Sequence, residues 1–388
     1  MCNRWTILAV LFLARTAMAF QFQSIGALSP LMVESYGLSL ADIGLLIGLY
    51  LAPGVVVAIP GGAIAGRFGD KRIVGLSMCL MFLGCILIAW ATTWPLLVTG
   101  RLLAGVGGVA LNVVMTKMVI DWFVGREIST AMSIFINSWP LGIALALLSL
   151  PVIAATGGLQ LAWITVLTSI AVALVIFLLI YRAPETATEA VTEVKVTKFP
   201  VYPLFLAGTV WALYNTALAM VFSFGPALLT ERGLGLTTAS SLVSAFMLLL
   251  AIAVPIGGVI ADRSGRRDAV IMVSLVSFMV LAPVLLYSPI TLVPATLLIL
   301  GFVFGLGAGP TVGMPAAILP PQSRAFAMGV YYSIYYAWMM AAPVIAGAWA
   351  DYVETLHAAL WFGIIVVLIS IIALILFRRI KPPAPATV

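Results

Sequence analysis

Three basic residues interrupt long apolar stretches of the chain: Arg15, Arg101 and Lys117. No carboxylate accompanies them. Glu34, Asp42, Asp70, Asp121, Glu127, Glu231, Asp262, Asp268, Asp351 and Glu354 all fall in loops or near the ends of those stretches. A buried cation with no opposite charge is expensive. An anionic ligand would supply the missing charge, and a guanidinium suits planar, carboxylate-like groups. Arg101, Gly105, Gly108 and Asn112 recur at helical spacing on one face. Arg101 either contacts the ligand or ties helices together, and Lys117, near a stretch end, is expected to snorkel. Later in the chain, Trp211, Tyr214 and Asn215 share a helical face, and Tyr331, Tyr332, Tyr335 and Tyr336 precede Trp338. Such aromatic stripes serve packing or a polar-tipped cavity wall, since buried hydroxyls need partners. Asn137 and Trp139 join the candidates. Catalysis has no comparable support. The single His357 excludes a multi-histidine metal site, and Cys2, Cys79 and Cys85 lack metal or redox spacing. No cofactor and no enzyme activity are expected.

The elements that position these residues are membrane helices. Hydrophobic residues make up 63% of the chain and charged residues 8%, against a soluble average of about 25% charged. A crossing needs about 20 apolar residues. Charges, Pro and Gly divide the chain into twelve spans, near 5–27, 41–65, 73–93, 95–120, 129–151, 160–181, 200–225, 237–261, 269–288, 291–318, 325–350 and 356–377. Arg15 then lies roughly 15 Å into span 1, near the midplane. The expected fold is all-α and integral to the membrane. Its units are a six-helix bundle over 1–182, a polar linker over 183–199 and a second bundle over 200–388. The N-terminus, with Ala17-Met18-Ala19 after an apolar run, has the look of a signal peptide. Arg15 interrupts that run, and cleavage would leave five spans against six, so we read an uncleaved first helix. Lys and Arg concentrate in alternate loops and both termini, while the opposite loops hold only Arg232. The positive-inside rule places termini and linker in the cytoplasm of an inner-membrane protein. With basic residues at span ends, the net charge of +6 does not suggest nucleic acid.

A motif is written twice. Gly62-Ala-Ile-Ala-Gly66-Arg67-Phe-Gly69-Asp70-Lys71-Arg72 recurs 196 residues later as Gly258-Val-Ile-Ala-Asp262-Arg263-Ser-Gly265-Arg266-Arg267. Ala131-Met132-Ser133 and Ala327-Met328-Gly329 share that offset. The chain is two homologous halves, an organisation of transporters with a central site. The site is asymmetric, because Arg15 corresponds to Trp211 and Arg101 to Leu297. Cationic walls come from the first half, and aromatic, hydrogen-bonding walls from the second.

Six plus six spans and the doubled motif resemble the major facilitator superfamily over nearly the whole chain. The motif is similar to that family's loop between spans 2 and 3, repeated between 8 and 9. The second copy matches fully. The first has Gly66 where the family usually has Asp, a carboxylate that helps lock the cytoplasmic side in the outward-facing state. The resemblance implies gating by Arg67, Gly69, Asp70, Asp262, Arg263 and Gly265, with most of the lock on Asp262. Gly100-Arg101-Leu-Leu-Ala-Gly105-Val-Gly107-Gly108 resembles the family's fourth-span motif, whose Arg often serves coupling or packing. The fifth-span signature of drug antiporters is replaced by Ser138-Trp139-Pro140-Leu141-Gly142. Phe20-Gln21-Phe22-Gln23-Ser24 and Asp121-Trp122-Phe123 resemble bacterial cyanate and nitrate/nitrite porters.

The expected function is secondary transport of a small organic or inorganic anion by rocker-switch alternating access, by a monomer as the family implies. Arg15, Arg101, Asn112, Asn137, Trp211, Tyr214, Asn215, Tyr332 and Tyr335 are the expected substrate contacts. The competing readings are a transporter of neutral or drug-like solutes and a non-transporting membrane sensor.

Overall fold

The computed structural model describes residues 3–57, 69–123, 128–182, 200–314 and 324–380. Arg67, most of the first motif copy and the linker lie outside the described residues. The first half comprises α1 (Arg4–Tyr36), α2 (Leu40–Leu49, continued after a turn by Gly54–Val57), α3 (Asp70–Ala89) and α4 (Trp94–Phe123), then α5 and α6 within Ile128–Ile180. Backbone at Gly158 (φ 72°, ψ 178°) separates α5 from α6. The second half comprises α7 (Val201–Ala219, continued through Met220–Phe224 to Glu231), α8 (Leu236–Ser264), α9 (Arg267–Tyr287), α10 (Val293–Gly305, then Ala308–Val312), α11 (Arg324–Tyr352) and α12 (His357–Arg379).

Ten described stretches are long and apolar enough to cross a membrane, and one of them, Ile134–Ile180, contains the Gly158 break. The tyrosine-rich α11 is less apolar but has 29 residues, ample for a core about 30 Å thick. The architecture is therefore an all-α membrane fold with the two-bundle organisation expected. Helix α1 continues to Tyr36 instead of stopping near 27. Pro30 removes one N–H from the ladder, and the Ser29 hydroxyl donates to the freed Gly26 carbonyl at 3.0 Å. The helix ends where Gly37 adopts a left-handed conformation (φ 65°) and its N–H returns to the Val33 carbonyl. Ala17, Met18 and Ala19 are buried inside this helix.

Arg101 organises the first bundle. Its side chain is 0% exposed. Nε donates to the Leu46 carbonyl at 2.7 Å, Nη1 to Gln21 at 3.1 Å and Nη2 to Phe22 at 2.5 Å. The guanidinium carbon lies 4.6 Å from the Tyr50 ring centroid and 5.7 Å from that of Phe22. Gly105 and Gly108 let α2 approach, because a Cβ at either would collide with Tyr50. One residue of α4 thus pins α1 and α2 together.

The two bundles meet on one side of the molecule. Among the described residues, every hydrogen bond between halves lies at mid-span or toward the end opposite the doubled motif. Gln23 Nε2 donates to the Phe222 carbonyl at 2.6 Å, where a π-helical turn over Met220–Phe224 interrupts α7. Ser244 Oγ on α8 donates to Ala144 on α5 at 2.8 Å. The partner contact by pseudo-symmetry sits 196 residues away: Gly48 on α2 lies against the Met340 carbonyl on α11. The same helix pairing seals the bundle twice, once with a hydroxyl and once with a bare Cα.

Arg101→Lys should fold poorly, since an ammonium carries its donors on one atom and cannot span the carbonyls that three separate guanidinium nitrogens reach on two helices. Interhelical bonds in membranes average about 0.6 kcal/mol, so three contribute about 2 kcal/mol before any cavity is counted. A lowered melting temperature of the purified variant in detergent is the expected result. An unchanged melt would contradict this role.

Candidate functional site

The site is built on α1. Arg15 stands partly exposed, one face toward α4 and α5. Nε donates to Asn112 Oδ1 at 2.9 Å. Nη1 donates to the Phe135 carbonyl at 2.8 Å, to Ile136 at 3.2 Å and to Ser138 Oγ at 3.4 Å. The guanidinium carbon lies 4.7 Å from the Phe135 ring centroid. The local sequence explains the carbonyls. Pro140 has no N–H to offer residue 136, so α5 presents a spare oxygen at that depth.

All these partners are neutral. Among the described residues, Nη2 makes no hydrogen bond and no carboxylate pairs with Arg15, while Nε and Nη1 are already engaged.

The second half faces Arg15 with aromatic groups. Tyr332, Tyr336 and Tyr335 lie within electrostatic reach of Arg15. Asn112 Nδ2 donates to Tyr336 Oη at 3.3 Å, bridging the halves. Tyr332 and Tyr335 are part-exposed, their rings edge-to-face with centroids 6.4 Å apart, and no described residue bonds their hydroxyls. Trp211 lies 6.2 Å from Tyr335. Its indole N–H is buried and unpartnered, as is Oδ1 of Asn137. Asn215 donates to the Trp211 carbonyl at 2.8 Å, which keeps its amide oxygen available. A part-exposed cation and part-exposed phenols therefore gather here beside a buried indole N–H, with polar groups that no described residue satisfies.

Two expected contacts are placed elsewhere. Arg101 is sealed from this cluster, with each guanidinium nitrogen bonded to a backbone carbonyl. It bonds the α1 carbonyls about two turns beyond Arg15. Tyr214 is buried within the second bundle. Its hydroxyl donates to the Phe304 carbonyl at 2.6 Å and its ring stacks on Phe304 at 4.2 Å. Helix α10 breaks at Leu306–Gly307, and Ser274 shares the Phe304 carbonyl. Tyr336, Phe135 and Ser138 were not among the expected contacts. Tyr336 falls one helical turn after Tyr332, and Pro140 marked where α5 frees a carbonyl.

The gating candidates sit at the opposite end. Gly69 (φ 85°) precedes α3 and Gly265 (φ 64°) follows α8, each in a conformation that favours glycine. Asp70 pairs with Lys117 at 2.8 Å, and Lys117 also with Asp121 at 2.7 Å. Lys117 is thus ion-paired, beyond simple snorkelling. Asp262 pairs with Arg267 at 2.8 Å across exposed side chains; Arg263 is exposed. Among the described residues, each of these pairs stays within one half.

Comparison with known proteins now bears on this architecture. The chain is 28% identical to the 3-(3-hydroxy-phenyl)propionate transporter of Escherichia coli K12, over 87% of the chain and 84% of that protein. It is 26% identical to a probable 4-methylmuconolactone transporter of Cupriavidus pinatubonensis, over 80% and 74%. Shorter matches are a 30% identical uncharacterised transporter of Buchnera aphidicola and a 33% identical probable anion transporter 3 of Oryza sativa. The chain spans only 42% and 26% of those two proteins. Among solved structures, a bacterial homologue of the lysosomal transporter Spinster, inward-facing and occupied, superposes with a TM-score of 0.82 at 16% identity over 99% of both chains. The D-xylose–proton symporter gives 0.80 at 15%, over 97% and 98%. None of these relatives is a cyanate or nitrate/nitrite porter. The residues behind that likeness have structural roles here: Gln21 bonds the Met81 carbonyl at 2.8 Å, and the Phe22 carbonyl serves Arg101. The Major Facilitator Superfamily profile matches residues 11–235 and 204–388, and the chain belongs to that family.

Proposed function

We propose that the protein is a secondary transporter of a small organic anion, working by rocker-switch alternating access. The observation that carries this reading is Arg15. A charge at the middle of a membrane helix costs at least about 2.5–3.5 kcal/mol. Carbonyl and amide dipoles offset part of that cost without neutralising it. A carboxylate on Nη2 would complete the shell, with Tyr332 and Tyr335 hydroxyls donating to its second oxygen. The aromatic faces and the Trp211 indole N–H suit a planar apolar body with a distal acceptor. The names of the two long-aligned relatives, transporters of an organic acid and of a lactone, support an organic ligand over a bare inorganic ion.

The distribution of Lys and Arg supports an inner-membrane protein with both termini in the cytoplasm. In that orientation we read the conformation as inward-facing, because the described contacts between halves lie at mid-span or toward the outside. Tyr336 and Asn112 bridge the halves beside Arg15, so a ligand there would sense both halves at once. A monomer is sufficient, since both walls come from one chain.

The test is uptake of 4-hydroxybenzoate and 3-(3-hydroxyphenyl)propionate into proteoliposomes, against nitrate and the matched neutral amides. Arg15→Ala should abolish uptake while the protein stays folded. Arg15→Lys should be strongly impaired, because Asn112 and Phe135 lose a shared partner. Undiminished transport by Arg15→Ala, or equal transport of the amides, would overturn the anion site. Tyr335→Phe removes one hydrogen bond to a charged ligand, worth about 1.5–3 kcal/mol. A KM at least about tenfold higher is expected. An unchanged KM would remove Tyr335 from the site.

A further inference from the structure

The outer ends of α2 and α11 carry a contact that the substrate site does not require. Helix α2 begins with a capping box: Ser39 Oγ accepts from the Asp42 N–H at 3.0 Å, and Asp42 Oδ2 accepts from the Ser39 N–H at 3.0 Å. That leaves the N–H groups of Leu40 and Ala41 without a partner from their own helix. Both point at the other half. Leu40 N–H donates to Asp351 Oδ1 at 2.9 Å, and Ala41 N–H to Asp351 Oδ2 at 2.7 Å. Asp351 lies in the last turns of α11. A carboxylate from the second half therefore caps a helix of the first, where the helix dipole favours negative charge.

Below this clamp the same two helices run antiparallel with their backbones nearly touching. A Cβ at Gly347 would collide with the Leu40 carbonyl, one at Gly44 with Pro343 and one at Gly48 with Met340. No long side chain has to leave when this seam parts. The two capping bonds must break.

The pseudo-symmetric seam lacks the clamp. Helix α8 begins at Leu236, 196 residues after Leu40, and its N-cap Gly235 makes no side-chain bond. The residue corresponding to Asp351 is Ala155. The α5–α8 seam instead buries Ser240 without a hydrogen-bond partner.

We propose that Asp351 is the outer latch of the transport cycle. It holds the outer seal by capping α2 and must release Leu40 and Ala41 before the outer vestibule opens. This rests on the alternating-access reading above.

The experiment measures the distance between spin labels on Thr92→Cys and Thr291→Cys, exposed loop positions in different halves, after replacement of the native cysteines. In the protein with Asp351 intact, short and long distances should coexist, with the short one dominant. Asp351→Ala should raise the long-to-short ratio about fivefold, the loss expected for one N-cap. Asp351→Asn should fall between, since it keeps an acceptor and loses the charge. Gly347→Ala wedges the same seam without touching the carboxylate, and should shift the ratio the same way. That variant also serves if the Asp351 variants do not fold. Two distances whose ratio ignores Asp351→Ala, or in its absence Gly347→Ala, would overturn the latch and leave alternating access standing. A single short distance in every variant would overturn both.

Discussion

A guanidinium among apolar helices must find oxygen atoms, and the first half of this protein is arranged around two that have done so without a carboxylate. Arg101 finds three backbone carbonyls on α1 and α2. Arg15 finds an amide, a hydroxyl and carbonyls that α5 presents where Pro140 interrupts its ladder. The bonding is similar and the consequence differs. All three nitrogens of Arg101 are used and its side chain is sealed, so its charge stiffens the bundle. Arg15 has one nitrogen without a partner among the described residues and lies near three tyrosines of the other half. In the proposed function that remaining edge is what takes the ligand.

The repeat places one asymmetric cluster between two homologous halves. Duplicated helices pair across the interface in the same way twice, α2 with α11 and α5 with α8. The duplicated positions have diverged in chemistry. Gly48 and Met340 make a close backbone contact, while Ser244 and Ala144 make a hydrogen bond. Divergence is larger at the centre, where Arg15 corresponds to Trp211. In the proposed cycle, symmetric scaffolding would let the halves rock while each presents its own part of the ligand shell. Tyr336 and Asn112 touch across the divide.

Much of this was legible in the residues. Apolar runs and the 196-residue repeat pointed to the fold, and the unpaired Arg15 to the centre of the proposed site. Asn112, Trp211, Asn215, Tyr332 and Tyr335 gather near it in the structure. Local periodicity failed where tertiary partners decide. Tyr214 shares a helical face with Trp211 by spacing, yet its hydroxyl bonds the Phe304 carbonyl at the break in α10, inside the bundle core. Pro30 read as a stop, and the Ser29 hydroxyl repaired the ladder. Asp351 read as an ordinary loop carboxylate, because its partners lie 311 and 310 residues away in sequence. Only the folded chain brings that side chain to the start of α2.

The central claim is that a small organic anion completes the shell of Arg15. Its most direct test is thermal stabilisation of the purified protein by a panel of aromatic and aliphatic carboxylates, each beside its neutral amide. The account expects carboxylates alone to raise the melting temperature, and the rise to vanish in Arg15→Ala. Stabilisation by the amides, or a carboxylate response that survives Arg15→Ala, would contradict it.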